Sequence, residues 1–104
     1  MNSEELSERL WKFAARVGKA VDALPDTRLG RHVAGQLVRC GTAAGPNYDE
    51  GCAAESRGWL RFIVIAELLP IKRINGLLDE CEQLIKIVGK SIATAKGKPR
   101  RDSN

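Results

Sequence analysis

Several residue patterns that carry chemistry are missing from this chain. Aromatic residues make up only 5 % of its 104 residues, and no alternating apolar–polar run stands out, which argues against a sheet fold. His32 is the only histidine, and without a Gly-x-Ser-x-Gly elbow it has no serine triad to serve. Cys40 follows two helical turns later, about 12 Å along the axis and too far for proton transfer. Cys40, Cys52 and Cys81 are too few and too scattered for a disulfide framework. Their odd count suits a reducing compartment, and their spacing lacks the close pairs of structural zinc. The glycines of 41–45 are not followed by the Lys-Ser/Thr of a phosphate-binding loop. Asp79, Glu80 and Glu82 lack the Glu-x-x-His pattern of di-metal bundles and read as a solvated acidic face. No enzyme, cofactor, metal or small-molecule substrate is therefore expected. The most apolar stretch, 59–69, is interrupted by Arg61 and Glu67 and falls short of the roughly 20 residues of a membrane span. The first 25 residues hold no uninterrupted apolar h-region. These absences lead us to expect a cytoplasmic protein without a membrane partner.

Helical periodicity is abundant. Leu6, Leu10, Phe13, Val17, Val21 and Leu24 recur every three or four residues, the stripe of an amphipathic helix over Ser3 to Leu24. Asn2 and Glu5 have capping-box spacing, and Pro25 and Asp26 end the segment. Asp26 is the expected cap of a second helix with Leu29, Val33, Leu37 and Cys40 as its stripe. The run Gly41 to Pro46 is expected to break or kink it. Asn47 and Glu50 have the spacing to cap a third segment. The run from Trp59 to Leu69 is apolar on nearly all sides, which predicts burial on more than one face or an oligomer interface. Ile74, Leu77, Leu78, Cys81, Leu84, Ile85, Val88 and Ile92 give the last stripe, and Gly97 and Pro99 are expected to end it.

Charge is uneven. The net charge is +4, and the tail carries Lys96, Lys98, Arg100 and Arg101 against Asp102 alone. The body is thus nearly neutral. The expected organisation is one helical domain over 1–95 and a basic, disordered tail over 96–104. That tail, with Arg28, Arg31 and Arg39 on one side of the second helix, is the candidate nucleic-acid-binding set. Arg57 and Arg61 could extend this basic surface, although a solvated or salt-bridged face is the better reading of all five arginines.

The phrases Thr27 to Arg39, Pro46 to Glu50, Ala54 to Arg57, Leu77 to Cys81 and Ser91 to Lys96 carry a resemblance. Together with the Gln36, Arg39, Asn47 and Glu50 positions, they resemble the four-helix-bundle proteins encoded within intervening sequences of 23S ribosomal RNA genes. The resemblance covers nearly the whole chain. It implies an all-α, antiparallel four-helix bundle that assembles into a ring-like homo-oligomer, typically a pentamer, with no assigned catalytic residues. It also implies kinship with nucleic-acid-binding accessory factors of retroelements.

One departure stands out. Arg57 runs straight into Gly58-Trp59-Leu60-Arg61-Phe62, where the family has a long third helix, so about 18–20 residues, or about 27–30 Å, are missing. A helix over 59–69 alone would span only about 17 Å. The two residues between Arg57 and Trp59 reach about 7 Å, too little to cross the bundle. The third helix is therefore expected to be truncated, or merged with the second as one helix over 47–69 of about 34 Å. Either outcome leaves an apolar face, with Trp59, Phe62, Ile63 and Ile65 as candidate interface residues and a swapped dimer as the alternative to the pentamer. The function expected is non-enzymatic self-association, with RNA binding through the second-helix arginines and the tail as the alternative.

Overall fold

The computed structural model describes residues 2–47 and 50–103, with side-chain detail over 2, 4–42 and 51–89. Four helices follow in order: α1 over Ser3–Ala23, α2 over Arg28–Asn47, α3 over Glu50–Ile65 and α4 over Ile71–Ser103. They form an all-α helical bundle in which each helix packs on the next and α1 closes against α4. Arg9 bonds to Glu80 while Arg16 lies beside Gly76, so α1 and α4 run antiparallel. At 16 residues, α3 is the shortest of the four.

Local chemistry explains the helix ends. Asn2 accepts from the Glu5 backbone N–H and Glu5 returns the bond to the Asn2 N–H, the expected capping box. Leu24 turns the chain out in an extended conformation before Pro25. The cap of α2 is Thr27 rather than Asp26: the Thr27 hydroxyl accepts from the Gly30 N–H at 3.0 Å. Asp26 instead pairs with Arg31 at 2.7 Å.

Three expected helix ends fall elsewhere. The run Gly41 to Pro46 does not interrupt α2, which continues to Asn47. Proline's fixed φ is helical, and near a helix end only one backbone bond is lost. Gly41 lets α2 approach α1 closely, because a Cβ there would stand 2.8 Å from a Val17 methyl. The expected helix over 47–69 does not form either, since α3 stops at Ile65. Glu67 adopts a left-handed φ of 59°. Its N–H donates to Val64, and the Leu68 N–H donates to Ile63. This is the paired closure of a Schellman cap, with glutamate where glycine is usual. Because α3 passes unbroken through Arg57 and Trp59, no crossing of the bundle occurs there. At the other end, Gly97 and Pro99 do not stop α4, which continues to Ser103. The expected disordered tail over 96–104 is thus helical to Ser103, and its side chains lie outside the described residues. The proposed capping role of the Asn47 side chain lies outside them too.

The core is assembled from one stripe per helix. Leu10, Phe13 and Val17 of α1 meet Val33 and Leu37 of α2, Leu60 and Ile63 of α3, and Ile74, Cys81, Leu84 and Val88 of α4. Leu29, expected in the α2 stripe, faces outward and is 44 % exposed. After α3 ends, Leu69 folds back into the core, so the second half of the 59–69 run caps the bundle instead of extending a helix.

Candidate interaction surfaces

The candidate residues separate into three places. Ile65 lies on the side of α3 turned away from the bundle, whereas Trp59 and Phe62 are half-buried and pack partly against the core. Trp59 sits edge-on to His32 and to Phe62, each with ring centroids 5.9 Å apart. Trp59 and Phe62 line a shallow groove of about 410 Å³ with Glu55 and Gly58. Ile65 is 78 % exposed. Ile63 was expected with them, but it is fully buried. A 100° step per residue places it with Leu60 and Ser56 on the inner face, so it fills this chain's core and presents nothing to a partner.

Arg28, Arg31 and Arg39 are all exposed on α2. Arg31 is held by Asp26, and Arg39 donates to the Gln36 side-chain carbonyl at 2.6 Å. Lys96, Lys98, Arg100 and Arg101 lie on the last turns of α4, with side chains outside the described residues.

The acidic residues are not simply solvated. Glu80 accepts two bonds from Arg9, at 2.7 and 2.9 Å, and Gln83 accepts a third at 2.8 Å. This partly buried fork ties α1 to α4, and the Glu80 carboxylate raises the Arg9 pKa further. Glu82 pairs with Arg57 at 3.8 Å and Arg61 at 3.4 Å, linking α4 to α3. These two arginines are therefore salt-bridged, as one of their two expected readings had it.

Two of the three thiols, Cys40 and Cys81, are buried in the core. Ser56 donates to the Cys52 carbonyl at 2.9 Å, and its hydroxyl oxygen lies 3.2 Å from the Cys40 sulfur. The Cys81 thiol donates to the Ala53 carbonyl at 3.4 Å. Burial raises the Cys40 pKa and pushes that of Cys81 up to about 12, the opposite of what a nucleophile needs. Among the described residues, no group of three His, Cys, Asp or Glu side chains is placed to hold a metal. Nor is any helix there long and apolar enough to cross a membrane.

A cationic cleft lies between α1 and α4. Arg16 and Lys19 of α1 and Arg73 of α4 surround a cleft of about 200 Å³ whose floor includes Ala20, Ile74 and Leu77. Only antiparallel packing brings residues so far apart in sequence together, so no local spacing could announce it.

No family model, no curated protein and no solved structure matches the chain.

Proposed function

We propose that this chain is a non-enzymatic helical bundle that self-associates through the outer face of α3. The observation that carries the reading is the composition of that face. Gly51, Gly58 and Ile65 are exposed together with Glu55, and Ala54 and Phe62 are half-buried. A Cβ at Gly58 would meet nothing within 4 Å, so packing within the chain does not account for a glycine that costs about 1 kcal/mol against alanine in a helix interior.

The face is self-complementary. In an antiparallel pair with its two-fold at Gly58, Ala54 stands level with Phe62 of the second copy, and Gly51 with its Ile65. Each small residue then receives a large one, the interdigitation that close helix pairs require. An isologous contact of this kind supports a dimer over the ring-like pentamer that the 23S ribosomal RNA intervening-sequence resemblance implies, because a ring needs two different patches. The bundle is already closed by α1 against α4, so association does not call for swapping.

Size-exclusion chromatography with light scattering tests this reading. A dimer at micromolar concentration that becomes monomeric in Ile65→Lys is expected. A stable wild-type monomer overturns it.

RNA binding is the second reading. It is favoured by Arg28 and Arg39, which share the outer row of α2 and have no carboxylate partner among the described residues. Salt-dependent binding to structured RNA that is lost in Arg28→Gln/Arg39→Gln supports it, and salt-independent or absent binding excludes it.

A further inference from the structure

We propose that the cleft between α1 and α4 binds an organic phosphate monoester with a compact apolar body. Arg16, Lys19 and Arg73 line it, and no acidic residue does. None of the three makes an ion pair among the described residues. The Arg16 guanidinium lies along α4, 3.4 Å from where a side chain at Gly76 would begin.

The same helix pair shows how this chain otherwise handles cations. One half of α1 carries Arg9 and Lys12, and both are neutralised, by Glu80 and Glu8. A second groove on that half is lined by two acids and two bases, Glu5, Glu8, Arg9 and Lys12. On the other half, which also carries Asp22, Arg16, Lys19 and Arg73 line one cleft with no carboxylate in its lining, and like charges held together repel. The first turn of α4 beside them has no acid, whereas that of α1 has Glu4 and Glu5. No first-turn acid therefore offsets the positive end of the α4 dipole, which faces only the negative C-terminal end of antiparallel α1.

The shape and chemistry of the cleft narrow the ligand. Two guanidinium forks and an ammonium match the several oxygens of a phosphate dianion. Ala20, Ile74 and Leu77 beneath them are buried and apolar, a floor for a group that water solvates poorly. A cleft of about 200 Å³ is on the scale of the roughly 150 Å³ cavity that accepts a benzene ring. A bare inorganic ion would leave this floor wet, and a neutral ring would leave the cations unpaired. No local sequence pattern points to a small-molecule ligand; the cleft does. The proposal is independent of the outer face of α3.

Titration with phenyl phosphate, inorganic phosphate and benzyl alcohol, followed by calorimetry and amide chemical-shift mapping at low salt, tests it. Phenyl phosphate is expected to bind with a submillimolar Kd, at least about tenfold tighter than inorganic phosphate. Its shifts should concentrate in 16–20 and 69–77, and benzyl alcohol should give no saturation. Arg73→Gln, an exposed change that spares the core, should weaken phenyl phosphate by about tenfold or more. Lys12→Gln, on the neutralised half, should leave it unchanged. Equal binding of inorganic phosphate, shifts centred elsewhere, insensitivity to Arg73→Gln, or no saturation by phenyl phosphate each overturns the proposal. Ile65→Lys should bind phenyl phosphate like the wild type, so loss of self-association is separable from loss of this site.

Discussion

The two faces of α3 meet different surroundings. On the inner face, Ala53, Ser56, Leu60 and Ile63 are at most 2 % exposed. On the outer face, Gly51, Glu55, Gly58 and Ile65 are exposed. Yet the stretch of this helix from Trp59 onward is apolar nearly all round, and its two isoleucines lie only two positions apart. A helix step of 100° turns those two positions through about 200°, from the core to solvent. Hydropathy registers that both are isoleucine; only the placement of the neighbouring helices decides which one is covered. The inner face is therefore where stability resides, and the outer face is free to serve association.

The sharpest test of this division compares those isoleucines. Ile63→Ala removes buried methyl groups and leaves a cavity, which costs about 2–5 kcal/mol. Ile65→Ala should change monomer stability by no more than about 0.5 kcal/mol. Urea denaturation of dilute protein measures both. Equal losses would mean that the faces are not distinct in the monomer. At higher concentration Ile65→Ala should also lower the apparent stability, because a dimer that forms only from folded chains stabilises them by mass action.

Glycines give the next contrast. Gly41→Ala would press a methyl to 2.8 Å from Val17, and such overpacking costs about 1–3 kcal/mol. Gly58→Ala meets open space and should stabilise the dilute monomer by up to about 1 kcal/mol through helix propensity. The same Gly58→Ala change should weaken the dimer, since it fills the point of closest approach. Thermal melts at two protein concentrations separate these effects. A Gly58→Ala protein that is more stable and equally dimeric would place the two-fold elsewhere.

Much of the fold was legible because it is local. The α1 stripe, its capping box and its exit at Pro25 all follow from spacing within a few residues. The α4 stripe of Ile74, Leu77, Cys81, Leu84 and Val88 is likewise periodic. What was illegible depends on distance or on a single torsion. The bond between Arg9 and Glu80 joins residues 71 positions apart, so the acids of α4 read as solvated. The cleft of Arg16, Lys19 and Arg73 exists only once α1 and α4 are antiparallel. The end of α3 rests on Glu67 in a conformation that residue type does not announce. Ile63 was read outward because nothing in its own helix said which neighbours it had.

That torsion offers a test of the boundary between the two regions of the 59–69 run. The left-handed φ of Glu67 costs a side-chain-bearing residue about 1 kcal/mol, and glycine avoids this strain. Glu67→Gly should therefore stabilise the chain by about 0.5–1 kcal/mol, with the larger flexibility of glycine in the unfolded chain offsetting part of the gain. Glu67→Val should destabilise it, because a β-branched residue tolerates this region poorly. If Glu67→Gly is destabilising by denaturant titration, the helix does not end in the proposed cap.

Cys81 probes the inner face alone, through its bond to Ala53 of α3. Burial raises its pKa from 9.0 to about 12, so the folded chain keeps a proton that the unfolded chain releases. The sign follows from proton binding: between about pH 9 and 12 the native state holds more protons, and stability falls as pH rises. Below that window this thiol makes stability neither rise nor fall. Urea midpoints measured from neutral to alkaline pH should stay flat and then decline, and Cys81→Ala should flatten part of the decline. Alkylation at mildly alkaline pH should reach half-buried Cys52 first, with Cys40 and Cys81 modified only as fast as the bundle opens. Rapid modification of Cys81 in native protein would mean that the inner face of α3 admits water, and the contrast between the faces would then be one of degree.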